Sequence, residues 1–465
     1  MIRVCKENRE SVLEQVRNGK IDAATLSTTN LIDEIILAMH TQGILSTISK
    51  SIPDFRAHNT TIPYELIWAS AIAAKMKIRT SLTDIPYAIN DHRTLAKLGY
   101  TLIDLEEGLK RGLMQESSLR FLIDKYAMDD MLNGYNYAVQ NHIMPQLDIE
   151  TNIHILDCTD LEVNFSNNHY EGSGIAQSKR TAQKARGYKL ATLRGLVNDT
   201  GIIEEIRFGP LNVHDLKLSE EMLRTTQLFK PGDILINDRG FLSRNLINYL
   251  KSVRQVDTYV PLKKDNLTYK MAVQIAQEQN VWEKHPIVRF AHQKICLVTN
   301  LGPYFNSSHP EPGLENVDIN ACVVWDEECD SFFVFATTDT SQSAVNILRT
   351  YDLRPEIEED YRQLKDFWQL EDFKSTKLNL IVFHIVAVLF GYLFFQLFTM
   401  LPEGEQYTGK SLPVVLKKYI VKVQGYVVLY VGFEFGVLTL LEMMELYAHC
   451  GEAVREKIGK VMGEL

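Results

Sequence analysis

Residues 152–159 read Asn-Ile-His-Ile-Leu-Asp-Cys-Thr, and residues 233–240 read Asp-Ile-Leu-Ile-Asn-Asp-Arg-Gly. Each is a short apolar run that ends in a carboxylate, Asp157 in the first and Asp238 in the second. Apolar runs of this length, bounded by turn formers, are the pattern of buried strands. Between them lie strand patterns over 188–196 and 201–208, each bounded by Gly, Asn or Asp, then a helix pattern at about 217–228 and a turn at Pro231-Gly232. Beyond them, 242–253 reads as a helix and 258–262 as a strand. A three-strand meander followed by alternating helix and strand is a mixed α/β pattern, α+β overall.

Outward from this centre the character changes. Residues 1–148 read as mostly helical, with apolar residues at three- and four-residue spacing in Leu31, Ile32, Ile35, Ile36 and Met39, and again in Leu66, Ala69, Ala73 and Met76. Residues 263–338 read as a β-rich insertion, with strands at 319–325 and 332–336 and a surface loop at 306–313. Helices resume near Ser341 and run to the C-terminus with a break at 402–411. The expected organisation is therefore a helical region 1–148, a mixed domain made of 149–262 and 339–400, the insertion 263–338, and a helical region 401–465. Leu380–Leu401 holds no Asp, Glu, Lys or Arg over 22 residues. Its length allows a membrane span, but with His384 and Gln396 inside it and no second such segment, a buried core helix is the better reading.

Composition bounds the partners. The 465 residues carry 49 Lys+Arg against 59 Asp+Glu, a net charge of -10. That balance disfavours a uniformly basic nucleic-acid binder, so any phosphate contact needs a local basic stripe. One exists at 177–194, which holds Lys179, Arg180, Lys184, Arg186, Lys189 and Arg194 and no acid. The six cysteines form no C-x-x-C pair, and the polar N-terminal stretch lacks an apolar leader, so a cytoplasmic protein without disulfides or structural zinc is expected.

Carboxylates at the ends of neighbouring strands can converge on a hard cation such as Mg²⁺. A lone Asp at a strand end is more often a turn or cap residue. A third acid comes from residues 351–365, Tyr-Asp-Leu-Arg-Pro-Glu-Ile-Glu-Glu-Asp-Tyr-Arg-Gln-Leu-Lys. Pro355 suits a helix start. A helix from there sets Glu358, Arg362 and Lys365 on one face and Ile357, Tyr361 and Leu364 on an adjacent apolar face. A solvated, salt-bridged helix explains the same charges about as well.

These motifs in this order resemble a known family. Tyr351, Arg354, Glu358 and Lys365 match the Y-(2)-R-(3)-E-(6)-K signature of the DDE insertion-sequence transposases. Asp157-Cys158-Thr159 is similar to that family's D-x-T, and Asp238-Arg239-Gly240 to its D-R-G/E. The resemblance covers about 150–400. It implies an RNase H-like mixed sheet whose 119 residues between Asp238 and Glu358 hold a β insertion. It implies that Asp157, Asp238 and Glu358 are catalytic and bind two Mg²⁺ (or Mn²⁺) ions. Tyr351, Arg354 and Lys365 would touch transposon-end phosphates, with Arg362, Lys179, Arg180, Lys184 and Arg186 as further DNA contacts. Glu359 is a rival to Glu358 but does not keep the spacings to Arg354 and Lys365. An insertion-domain Trp stacks a flipped base in this family; Trp282 and Trp325 are candidates, though a packing role suits each better.

The implied function is DNA transposition: cleavage at inverted-repeat ends and strand transfer into target DNA, by a homodimer in the synaptic complex, with no membrane. The alternatives are a catalytically inactive DNA-binding descendant and an assembly or membrane protein built around 380–401. Among secondary candidates, His214 reads as structural, Asp91, His92, Arg93 and Lys97 as DNA-facing or surface residues, and Lys263 and Lys264 as a small basic cluster.

Overall fold

The computed structural model describes residues 5–57, 60, 62–89, 91–100, 113–197, 200–307, 309–419 and 424–463. Met1–Val4, part of the expected N-terminal helical region (101–112) and Ser308 of the 306–313 loop lie outside them. The fold is mixed α/β, and the chain divides into two compact units, 139–362 and 1–138 with 363–465.

In the unit 139–362 one large sheet dominates. Its strands are β1 (Ile153–Val163), β2 (Gly174–Gln177), β3 (Lys184–Val197), β4 (Thr200–Pro210), β5 (Ile234–Asn237), β6 (Asp257–Pro261), β7 (Glu283–Lys284), β8 (Gln293–Val298), β9 (Asn320–Asp326) and β10 (Ser331–Thr337). The order is β2–β3–β1–β5–β6–β10–β9–β8–β7, with β4 also paired to β3. β3 runs antiparallel to both β1 and β4, whereas β5 runs parallel to β1 and β6 parallel to β5. The strands of the expected insertion continue the same sheet, antiparallel from β6 onward.

One face of this sheet is covered by helix α1 (Asp215–Thr225) and the helix that begins at Arg244. Leu156, Cys158, Leu193, Met222, Leu223, Leu235, Phe241 and Leu246 form its core. Burying each large aliphatic side chain there contributes about 1.5–3 kcal/mol. Helix α2 (Leu267–Gln279) packs Tyr269, Ala272 and Ala276 into a second core with β8–β10. The sequence reading gave this region only strands. The missed signals are the Asn266 N-cap, which accepts from the Thr268 N–H at 3.0 Å, and Asn280 in the left-handed conformation that ends the helix. Helix α3 (Pro355–Asp366) begins where Pro355 predicts, with Ile357, Tyr361 and Leu364 buried.

The other unit is not purely helical. Strands Lys6–Glu7, Ala23–Thr29, Gln424–Val431 and Glu434–Thr439 form a four-stranded sheet joining N- and C-terminal segments. Ala23–Thr29 escaped the sequence reading because its alternation is inverted: Ala24, Thr25, Ser27 and Thr29 are buried while Leu26 faces out. The 424–439 hairpin overturns the helical reading of 401–465; the signal passed over is Tyr426-Val-Val-Leu-Tyr-Val431, a β-branched and aromatic run ended by Gly432 at φ +62°. Helix Leu378–Met400 is the core of this unit and is almost wholly buried in it. Trp68 packs on Phe383 and Phe390 at ring-centre distances of 5.3 and 6.0 Å, and Tyr135 on Phe390 at 4.8 Å. Its apolar surface is thus already covered by protein.

Candidate active site

β1 corrects one detail of the sequence reading. The strand does not stop at Asp157 but continues to Val163, because Asp157–Val163 pair with β3 from Thr192 back to Arg186. What stops near Asp157 is the parallel pairing: Leu156 opposite Asn237 is the last matched pair of β1 and β5. Asp157 and Asp238 are therefore the next residues on two adjacent parallel strands. Asp157 Oδ1 accepts from the Cys158 N–H at 2.8 Å, and Asp238 Oδ1 from the Arg239 N–H at 2.7 Å. These local bonds fix one oxygen of each carboxylate.

α3 supplies the rest. Tyr361, buried, donates its hydroxyl to the Asp157 carbonyl at 2.8 Å and bonds the Thr192 hydroxyl at 2.7 Å. Arg194, which the sequence placed in a DNA-facing stripe, is instead 4% exposed. Its Nε donates to Asp360 at 2.6 Å, and its Nη1 lies 2.9 Å from Glu356 without hydrogen-bond alignment. Gly201 is needed opposite it, since a Cβ there would sit 2.2 Å from the guanidinium. Asp360, Tyr361 and Glu356 thus tie to the sheet the helix turn that carries Glu358.

Arg354 lies between the acids. Its Nη2 donates to Asp157 Oδ2 at 3.0 Å and its Nη1 to Glu358 Oε1. Burial pushes the Asp157 carboxyl up to about 6; Arg354 and the Cys158 N–H hold it down, while the nearby Asp238 charge adds to the rise. Burial lowers the affinity of Arg354 for its proton, but Asp157, Glu358 and Asp238 together overcome this and raise it. Tyr351, its ring tilted against Phe335 with 4.8 Å between ring centres, is pushed up to about 12 by burial and feels all three carboxylates. Asp157, Asp238, Glu358, Arg354 and Tyr351 are therefore one electrostatic cluster. Lys179 joins its edge: it pairs with Asp215 at 3.0 Å and lies close enough for its charge to act on Asp157.

The other expected DNA contacts are placed apart from this cluster. Arg180 is exposed and pairs with Glu162, Arg186 bonds the Phe165 carbonyl and the Ser173 hydroxyl, and Lys184 is exposed. Lys189 is buried against Asp215 at 2.5 Å. Arg362 pairs with Glu359, and Lys365, counted with the other unit, pairs with Glu371 at 2.8 Å. His214 caps α1 by accepting from the Leu216 N–H. Asp91 is buried, bonded to Ser27, Thr29 and Thr94. Arg93 lies over the Tyr426 ring and Lys97 pairs with Glu7. Trp282 and Trp325 pack on each other at 5.4 Å, and the Trp325 indole donates to Asp330. The sequence named Arg194 only within the basic stripe and Tyr361 only within an apolar helix face; their partners Asp360, Thr192 and the Asp157 carbonyl, like the Lys179 and Lys189 partners of Asp215, come from other elements and leave no local signal.

Among the described residues, no group of three or more His, Cys, Asp or Glu side chains forms a ready metal cage. The donor chemistry nonetheless suits a hard divalent ion. The cluster offers carboxylate oxygens alone, and a cation, the Arg354 guanidinium, is already drawn between two of them.

An acidic cluster formed where the parallel pairing of β1 and β5 stops and α3 begins, on a sheet extended by antiparallel strands, defines a class of α/β protein with a cation-seeking site. Residues 150–394, more than half of the chain, match the family model described as the transposase DDE domain, and the chain belongs to that family. Its role accordingly lies in transposition, with DNA as the substrate. No curated protein matches the chain.

Proposed function

We infer that the chain is a DDE insertion-sequence transposase of the YREK type, cleaving transposon ends and joining them to target DNA. The observation that carries this reading is the convergence of Asp157, Asp238 and Arg354–Glu358, three segments far apart in sequence, on one cluster within a matched family domain. In this reading the sheet is RNase H-like, supported by the β4–β3–β1 meander followed by parallel β5 and β6.

Asp157, Asp238 and Glu358 are the residues proposed to hold divalent cations. A bound pair of Mg²⁺ or Mn²⁺ ions supplies activation of the attacking oxygen and neutralisation of charge at phosphorus. The protein's part is placement. The Asp157 and Asp238 backbones fix their carboxylates at adjoining strand positions, and the Arg194–Asp360 pair and Tyr361 hold the helix turn bearing Glu358. Tyr351, Arg354 and Lys179 are set to meet phosphate oxygens, with Arg180, Lys184, Arg186, Arg362 and Lys365 as outer contacts along the DNA. Guanidinium groups match phosphate as bidentate donors, which favours Arg354 for the innermost contact. The segment 263–338 is the proposed insertion, the region 1–148 the proposed reader of transposon ends, and 401–465 a proposed dimer support in a cytoplasmic, DNA-bound synaptic complex.

The test is incubation of purified protein with linear DNA carrying the element's own terminal inverted repeats, with Mg²⁺ or with chelator. The reading expects metal-dependent strand cleavage that leaves 3′-hydroxyl ends. Asp157→Asn, Asp238→Asn and Glu358→Gln should each bring it to the chelator background while still binding DNA. Binding without cleavage by the wild-type chain under every metal condition would favour an inactive descendant instead.

A further inference from the structure

Arg354 carries a consequence beyond a phosphate contact. Its guanidinium is largely enclosed and bonds Asp157 Oδ2 and Glu358 Oε1 together. Arginine stays charged at any working pH and donates but never accepts, so in this pose it satisfies both acids as a cation would. Its Nε is buried and lacks a hydrogen-bond partner among the described residues. The pose therefore satisfies the acids at the expense of the arginine, whose Nε–Nη edge is the one that grips a phosphate bidentately. A divalent ion competes with the guanidinium for the same two carboxylate oxygens, because both seek their lone pairs and because two cations so close repel.

We propose that Arg354 gates metal loading: without DNA its guanidinium stands in the cation position between Asp157 and Glu358, and a phosphate of a bound DNA end draws it away so that a divalent ion can enter. This rests on the reading of Asp157, Asp238 and Glu358 as the metal-holding set. The device makes metal and DNA binding reciprocal, each tightening the other by the same factor. It also keeps the protein from being a charged nuclease away from its ends.

The experiment measures Mn²⁺ binding to the full chain by electron paramagnetic resonance, without DNA, for wild type, Arg354→Gln, Asp157→Asn and the double variant. Arg354→Lys serves as a second variant that keeps the charge but loses the fork, and circular dichroism confirms that each is folded. The gate predicts that Arg354→Gln binds Mn²⁺ about tenfold or more tightly than wild type. Arg354→Lys should fall between them, and Asp157→Asn should remove the gain. Adding duplex DNA with the terminal repeat should tighten Mn²⁺ binding to wild type by a similar factor. Equal Mn²⁺ affinity in wild type, Arg354→Gln and Arg354→Lys, all abolished by Asp157→Asn, overturns the gate and leaves the carboxylate reading standing. Mn²⁺ binding indifferent to Asp157→Asn in both backgrounds overturns the carboxylate reading, and the gate with it.

Discussion

Replacing Arg194 with Met tests how α3 is held over the sheet. The Arg194 side chain is 4% exposed and its Asp360 partner 9%, with 2.6 Å between Nε and the carboxylate. Removing the guanidinium strips a buried carboxylate of its cation, a change that destabilises by about 3–5 kcal/mol. Glu356 is 39% exposed and regains water, so its share is small. For a unit of this size each kcal/mol moves Tm by about 2–4 °C, which gives a fall of roughly 6–20 °C. The assay is urea and thermal unfolding followed by circular dichroism, with Asp360→Leu and Arg194→Met/Asp360→Leu completing a double-mutant cycle. The double variant should recover most of the loss, because an apolar pair can replace a buried ion pair at little cost. A loss under about 1 kcal/mol in Arg194→Met, or a double variant as unstable as the single, would refute the clamp.

Two further perturbations probe the same sheet. His154 is fully buried, with Nδ1 at 2.8 Å from Glu204 and Nε2 at 3.3 Å from Asp233. Burial lowers its proton affinity, but the two carboxylates outweigh this and raise it to about 9. Because the folded value lies above the unfolded one of about 6.5, its contribution is fully present below pH ~6.5 and is lost as pH rises through about 9. Over that window wild type should lose up to about 3 kcal/mol of stability that His154→Gln does not lose, read from urea midpoints at several pH values. Parallel curves for the two proteins would contradict the assignment. Gly195→Ala places a Cβ 2.2 Å from Glu204 Oε1 and 2.5 Å from Thr151 Cγ2; Glu204 bonds that histidine, and Thr151 bonds Glu204. It should lower stability by about 1–3 kcal/mol in thermal unfolding, and an unchanged Tm would show that the network yields.

The parts of the site that were legible in the sequence are those that local pattern specifies. Two apolar runs ending in Asp, and Pro355 opening a charged helix, mark the elements that carry Asp157, Asp238 and Glu358, because strands and helix starts are written in neighbouring residues; the choice of Glu358 over Glu359 came from the resemblance's spacing to Arg354 and Lys365. The basic run at 177–194 misled for the opposite reason. Along the chain Lys189 and Arg194 look like a cationic stripe, but β3 pairs with strands on both sides, and the acids that neutralise them come from Asp215, Glu356 and Asp360. Lys179 stays partly open beside Asp157, which no linear pattern separates from Arg180 one residue on. In the other unit Ala23–Thr29 stayed hidden because hydroxyls and small side chains fill the buried face and Leu26 the exposed one, so hydropathy points the wrong way.

The most direct test of the three-carboxylate site is a crystal of the protein with a terminal-repeat DNA duplex and Mn²⁺, measured at the manganese absorption edge. The account predicts anomalous density bridging the carboxylates of Asp157 and Asp238, with Glu358 turned toward it and Arg354 on a DNA phosphate. Manganese bound elsewhere, with Arg354 still joining Asp157 to Glu358 in the presence of DNA, would contradict it.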